Sequence, residues 1–534
     1  MEISQEGLRV FLEENVPELK KLATAANLAY WEATTTGTKE SEEKLAATRA
    51  ELLRFAADRE RYDALKAFKE AGRITDPLLS RQLTVLLNEA TQYQMSPEDI
   101  AELVRRETEI EMLFANFRAE ADGRTVSDND IIRILEDEND SGTRQQAWEA
   151  SKRIGVESAP KILELVKLRN RVAKNLGYRD YYEMSLELQE LPEKDLFGIL
   201  DELEALTRAP FARMKAELDR ELGGRFGIGA GEVMPWHYSD PFFQETPTAG
   251  GVDLNPFLAG KDPVALTKEY YRGLGMDIED ILARSDLYER PGKNQHAFCT
   301  HIDNSGDVRV LANVRPNEKS TGTLYHEFGH AVYDKYIDQE LPYVLRSPAH
   351  TFTTEAVAML SERQLFDDRW LVELLGLPAD DAREIAAKSH WRASLGALIF
   401  ARWGLVVVHF ERELYRNPNA DYNALWWQYV EKLQLIRKPA DRRAPDWAAK
   451  IHLATVPVYY HNYLLGSLAA AQFGEAVKRA VGEESFVNRP AAGTFFREDI
   501  FHSGARYRWD EHIRRATGEP LTAKFFADQY VSQR

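Results

Sequence analysis

Apolar residues recur three and four apart through nearly all of the first two hundred positions, and that spacing commits the chain to a helical body before any motif is considered. Leu8, Phe11, Leu19, Leu22 and Leu28 mark one stretch, and Leu45, Leu52, Phe55 and Leu65 the next. Proline just inside a capping residue, at Asp76-Pro77 and Ser96-Pro97, opens further helices; the one from Ser96 is expected to run through Phe114 and Phe117 to Gly123. Long amphipathic helices can cover a cleft, but packing into an ordinary helical body is the plainer expectation. Helical spacing continues over 178–222, 262–284, 386–413, 422–435 and 452–481. Extended segments are expected only at 295–302 and 307–314, which flank a turn and read as one short ribbon. The class is mainly α, with one small β ribbon. No internal repeat is visible, which weighs against a helical solenoid.

Within this setting, His326-Glu327-Phe328-Gly329-His330 is the segment that carries chemistry. On a helix, residues four apart lie one above the other, so both imidazoles can reach a single ion while Glu327, one step round, faces the open coordination position. Zinc in a catalytic site takes three protein ligands and keeps a place for water, which it acidifies enough for a neighbouring carboxylate to remove a proton. Glu327 is the natural candidate for that base. Thr321 or Thr323 can cap the helix, and Leu324, Phe328, Ala331 and Val332 supply its apolar face. No further histidine follows at the spacing of the longer H-E-x-x-H-x-x-G-x-x-H pattern, so another element must provide the third ligand. After breaks at Leu341-Pro342 and Ser347-Pro348, helical spacing resumes over 351–362 with threonine start signals and Glu355 in the first turn. A carboxylate there can also serve the helix dipole. Glu362, seven residues on and on the same face, can accept a hydrogen bond from the free ring nitrogen of a ligand histidine.

These two segments, the second reading Thr354-Glu355-Ala-Val-Ala-Met-Leu, resemble the gluzincin peptidases. The likeness is to angiotensin-converting-enzyme-like peptidyl-dipeptidases and to the thimet and F-type oligopeptidases. The stretch 449–463, with Lys450, His452, Tyr459, Tyr460 and Tyr463, is similar to the converting-enzyme segment in which a Lys, a His and two Tyr line the substrate cleft. This likeness runs from about Lys161 to the C-terminus and is weak before Ser285. It implies one zinc ion on His326, His330 and Glu355, with Glu327 as base and later proton donor. It implies His452 and Tyr463 as donors to the oxyanion, Lys450 and Tyr460 as substrate-binding groups, and His296 and Ala297 on a strand that pairs with the peptide. Donors already aimed at a growing negative charge stabilise the transition state more than the substrate. By spacing alone, Tyr459 and Tyr460 are both partners for Tyr463, and they remain alternatives. The resemblance also implies a two-lobed helical ellipsoid with a deep channel and zinc at its floor. Residues 161–534 would form the peptidase core, and 1–160 a helical region able to form a lid.

Two positions depart from the converting-enzyme pattern. A Gln near Trp236 that shares the substrate carboxylate with the Lys is replaced here by Tyr238, and an Arg serving chloride activation is replaced by Asn462, so little chloride dependence is expected. Glu362 instead resembles the thimet group. The reading that follows is zinc-dependent hydrolysis of short oligopeptides with release of C-terminal dipeptides. Its alternatives are an oligoendopeptidase cutting internally and an inactive peptide-binding module, the latter disfavoured because ligands, base and oxyanion donors are all present. A net charge of −18 leaves no basic excess to displace counterions, which argues against a nucleic-acid partner. One cysteine, Cys299, excludes an internal disulfide and suits a reducing compartment. The first residues lack the basic and apolar regions of a leader, and the longest apolar run, 395–410, is interrupted by Arg402. The expectation is a cytoplasmic protein without a membrane anchor. The loop 236–252, rich in Pro, aromatics and Asp, suits the lining of a cleft.

Overall fold

A computed structural model describes residues 2–121, 123–246 and 252–531, so positions 247–251 of that loop lie outside the described residues. Helices dominate, as the spacing predicts. The first four span Gln5–Thr36, Lys39–Ala56, Arg59–Ala71 and Pro77–Gln92, and Ser4, Thr38, Asp58 and Asp76 cap them by accepting first-turn amides. Leu8, Phe11, Tyr62, Leu65, Phe68 and Leu83 form a core of their own, separate from the main one. The connections from this unit outward are both apolar and polar: Tyr30 and Trp31 meet the Phe298 ring with centroids 5.0 and 6.2 Å apart, and Leu78 and Val85 pack on the main core. Arg81 pairs with Glu190 at 2.6 Å and donates to the Ala505 carbonyl at 2.8 Å, while Asn27 donates to the carbonyls of His301 and Ile302 at 3.3 and 3.0 Å. The small core ends near residue 92; Ile110, on the next helix, already lies in the main core.

That next helix, Pro97–Asn116, stops short of Gly123. Phe117 turns extended, and Ala119–Ala121 (β1) pairs antiparallel with Arg124–Val126 (β2), Gly123 supplying a positive φ of 69° at the turn. Ala119 and Ala121 are buried while Glu120 is exposed, an alternation of two that a helix cannot satisfy. Among the described residues there are therefore two ribbons where the sequence predicts one.

The second ribbon, Phe298–His301 (β3) with Val308–Leu311 (β4), is shorter than expected at both outer ends. Beyond Leu311 the chain changes partner, since the Ala312 and Val314 amides donate to the Asp286 and Leu287 carbonyls, both at 2.9 Å. The carbonyls of Asn294 and Gln295 are taken instead by the Asn313 side chain. The helix Ala379–Arg416 is long and apolar enough to cross a membrane, yet 67% of its apolar window is buried within the fold. Arg402 at its centre donates to the carboxylate and the carbonyl of Glu204, both at 3.0 Å.

Glu318–Lys335 carries the His-Glu motif and packs on Thr351–Arg363, which packs in turn on His461–Val481. Glycines set these spacings. A Cβ on Gly329 would lie 2.7 Å from the Ala358 Cα, and one on Gly466 would lie 3.2 Å from the Glu355 Cγ. Gly329→Ala is accordingly expected to cost about 1–3 kcal/mol by overpacking. A urea denaturation midpoint equal to that of the parent would show that the two helices part freely.

Candidate active site

Asn317 caps the motif helix, its Oδ1 accepting from the Ser320 amide at 2.8 Å. Thr321 and Thr323, expected as caps, lie inside the helix and donate to the carbonyls of Asn317 and Lys319, both at 2.9 Å. Leu324, Phe328, Ala331 and Val332 are sealed in the core, which fixes the rotation of the helix and turns the two histidines toward Glu355. His326 Nε2 is 3.8 Å from one Glu355 oxygen and His330 Nε2 is 3.6 Å from the other. The three ligand atoms lie within 4.8 Å of one another. Tetrahedral ligands about 2.1 Å from zinc stand roughly 3.4 Å apart, so this donor set fits one zinc ion after small adjustments. The far ring nitrogens have partners: His326 Nδ1 lies 3.3 Å from Glu362 Oε2, and His330 Nδ1 lies 2.8 Å from Thr354 Oγ1. Both contacts leave Nε2 as the atom aimed at the ion. Sequence reasoning reached Glu362 through its helical phase but did not single out Thr354, next to Glu355 in the same motif.

Burial shifts the proton equilibria of the site. Glu327 accepts a hydrogen bond from the Cys299 amide, and its pKa is pushed up to about 7 by burial, against the opposing pull of His326. Burial also raises Glu355, while burial and the neighbouring His326 hold His330 down at about 3. For His326, burial disfavours the charged ring, but Glu362, Glu355 and Glu327 outweigh it and hold the pKa above the usual imidazole value.

A second wall comes from 446–463. The helix expected over 452–481 is interrupted: Val458, with a positive φ of 51°, donates its amide to Glu411 at 2.8 Å, and the helix proper begins at His461. This turn sends the adjacent tyrosines to different neighbours. Tyr459 and Tyr463 both lie in the field of the Glu355 carboxylate; burial and that field raise both pKa values, and with the charge of Tyr463 added Tyr459 is pushed up to about 12. Tyr460 is directed at Trp403, whose Nε1 donates to its hydroxyl at 2.6 Å, and at Lys450, whose Nζ is 5.7 Å from its ring. Its ring also meets those of Tyr463 and His452, with centroids 5.3 and 5.5 Å apart. Burial and the adjacent Lys450 lower His452 to about 4, so at neutral pH the ring is uncharged.

Tyr238 does not stand where the sequence reading put it. It is buried, its hydroxyl donating to Asp219 at 2.9 Å, and the glutamine that meets Lys450 is Gln244, whose Oε1 accepts from Nζ at 2.9 Å. Counting from Trp236 misses it because the loop doubles back. Asp240 gathers the amides of Phe242, Gln244 and Glu245 within 3.2 Å, and Phe243 takes a positive φ of 50°. Burial lowers Lys450 to about 8, with Asp240 and Glu245 resisting. His296 and Ala297 precede β3 rather than belonging to it; His296 is exposed and Ala297 half-buried. Asn462 is buried and directed at Gln189, 3.4 Å away. Beyond Phe400, which meets Tyr463 edge-on, a cavity of about 500 Å³ opens between Met359, Arg363 and Arg392.

Two family models match the chain. That of the angiotensin-converting enzyme, peptidase family M2, matches residues 3–237, and that of peptidase family M3 matches residues 281–532. The likeness therefore starts near the first residue, well before Lys161. The motif helix, Glu355 and the 450–463 wall all fall in the second match, and Gln244 falls between the two.

Proposed function

Because its first half is similar to the angiotensin-converting enzyme and its second to peptidase family M3, both families of zinc metallopeptidases, we propose that this chain hydrolyses short oligopeptides and releases dipeptides from their C-termini. A zinc metallopeptidase acting on peptides is the part that both matches support. The dipeptide mode rests on one observation, the Lys450–Gln244 pair beside the Tyr460 ring. A half-buried ammonium held by an amide is a receptor for a free carboxylate.

His326, His330 and Glu355 would hold the ion. When bound, zinc polarises the scissile carbonyl and acidifies a water molecule. Glu327 takes the proton from that water and returns it to the leaving amine, and its raised pKa suits both transfers. Tyr463 and neutral His452 donate to the carbonyl oxygen as its charge grows. Glu362 and Thr354 hold the histidine rings so that Nε2 faces the ion. Lys450 fixes the substrate end, and this sets the cleaved bond two residues from the C-terminus. We assign the outer four-helix unit the role of a cover over the cleft and place the protein in the cytoplasm, in line with its single cysteine.

The test is one peptide supplied as free acid and as C-terminal amide, with products weighed by mass spectrometry. Dipeptides are expected from the acid alone. Lys450→Ala is expected to lower kcat/KM on the acid by about 10- to 150-fold, the worth of roughly 1.5–3 kcal/mol for a hydrogen bond to a charged group. Equal internal cleavage of acid and amide would make the protein an oligoendopeptidase, and peptide binding without metal-dependent cleavage would make it a binding module.

A further inference from the structure

Asp334 lies on the motif helix seven residues beyond Glu327 and four beyond His330. It therefore shares their face, two turns or roughly 10 Å further along the axis than Glu327. Cys299 of β3 lies between the two acids: its amide donates to Glu327, and burial together with the charges of Asp334 and Glu327 pushes its thiol up. Half-buried Cys299 and half-buried Asp334 thus continue the surface that Glu327 begins.

The Asp334 carboxylate makes no hydrogen bond or ion pair among the described residues. Its neighbours are provided for. Lys335 pairs with Asp280 at 2.5 Å, and Asp277 and Asp280 lie within reach of that one ammonium. Burial lifts the Asp334 pKa to about 7, as expected for an acid withdrawn from water with no cation beside it. Such an acid holds its charge at neutral pH only when a cation comes to rest beside it. Asp334 is half-buried rather than enclosed, and the helix face it shares with Glu327 and His330 is the one a bound peptide would cross.

We propose that Asp334 selects substrates by pairing with a cationic side chain, lysine or arginine, on the N-terminal side of the cleaved bond. The side follows from the helix and rests on the reading of Lys450 as the C-terminal anchor. Glu318, at the start of the motif helix, lines one cavity with Thr246, two residues beyond Gln244, so that end of the helix lies toward the Lys450–Gln244 pair. Asp334 sits at the other end, with the zinc ligands between. A peptide anchored at Lys450 crosses the ligands and reaches Asp334 with its N-terminal part. At about 3.3 Å per extended residue, 10 Å corresponds to two or three residues before the cleaved carbonyl.

The experiment compares peptides that differ only in carrying Lys, Gln or Glu at the second or third position before the cleaved bond, using the zinc-loaded full chain. The parent is expected to favour Lys over Gln by about 10-fold or more in kcat/KM and to disfavour Glu. In Asp334→Asn the Lys-to-Gln ratio is expected to fall to near one, and in Asp334→Lys the order should invert toward Glu. Equal rates for the three peptides with the parent enzyme would overturn the inference without any variant, and a Lys preference that survives Asp334→Asn would overturn it too. Absence of metal-dependent cleavage of every peptide would instead bring down the peptidase reading, and this inference with it.

Discussion

Glu327→Gln should lower kcat by about 10²–10⁴-fold while the protein keeps its zinc. The amide is nearly the size of the carboxylate and can still accept from the Cys299 amide, so the packing around it is retained. What is lost is the group that takes a proton from water and gives it to the leaving amine. Because burial raises the Glu327 pKa toward 7, the parent should gain activity as pH rises through the range where this acid loses its proton. The positive charge of bound zinc draws that range below 7. In the Gln variant this limb should vanish from the profile of kcat/KM against pH. Turnover within a few-fold of the parent, with zinc verified by metal analysis, would remove Glu327 from the role of base.

The largest effect on the metal should come from Glu355→Ala. Loss of a partner that merely orients a ligand costs about 10–100-fold in metal affinity, so loss of a ligand oxygen should exceed about 100-fold. Folding should survive, since Glu355 is half-buried and its neighbours Ala356, Val357 and Ala358 hold the helix in the core. Acid should mimic the substitution in the parent. In the metal-free site both His326 and Glu355 have raised pKa values, so each keeps its proton to a higher pH than an ordinary group of its kind. Zinc must displace those protons, whereas His330, held at about 3, has none to displace near neutrality. Affinity should therefore fall as pH falls through the His326 range, by up to tenfold per proton displaced per pH unit. Equilibrium dialysis against zinc across pH is the measurement, and a flat profile would contradict the proton competition.

The parts of the site that one helix carries were legible in the sequence because 3.6-residue periodicity converts spacing directly into geometry. His326, Glu327, His330 and the Glu355-to-Glu362 relation are of that kind. Gln244 was not, since a loop held by Asp240 and reversed at Phe243 has no period from which to count. The separate directions of Tyr459 and Tyr460 likewise depend on one residue of positive φ, Val458, which no propensity announces. Among the larger elements, β1 and β2 escaped because three-residue strands offer too few alternations to compete with the helical pattern before them. The separate core of the first, third and fourth helices escaped for another reason. Helical spacing tells which face is apolar but not which partner covers it, so two cores and one look alike in sequence.

That second core has a mechanical consequence. A cover without a core of its own could move only by bending or melting, and each opening would spend order that closing must rebuild. The first, third and fourth helices share a core of their own through Phe11, Leu65 and Phe68, and the joints at Arg81 and Asn27 are polar groups that water can satisfy. Opening would therefore uncover the Tyr30, Trp31 and Phe298 rings as well as these polar joints, while the helices that carry His326, His330 and Glu355 belong to the other core. On the proposed role of a cover, admission of a peptide and alignment of the chemistry would fall to pieces with separate cores, and the looseness needed by one would not be imposed on the other.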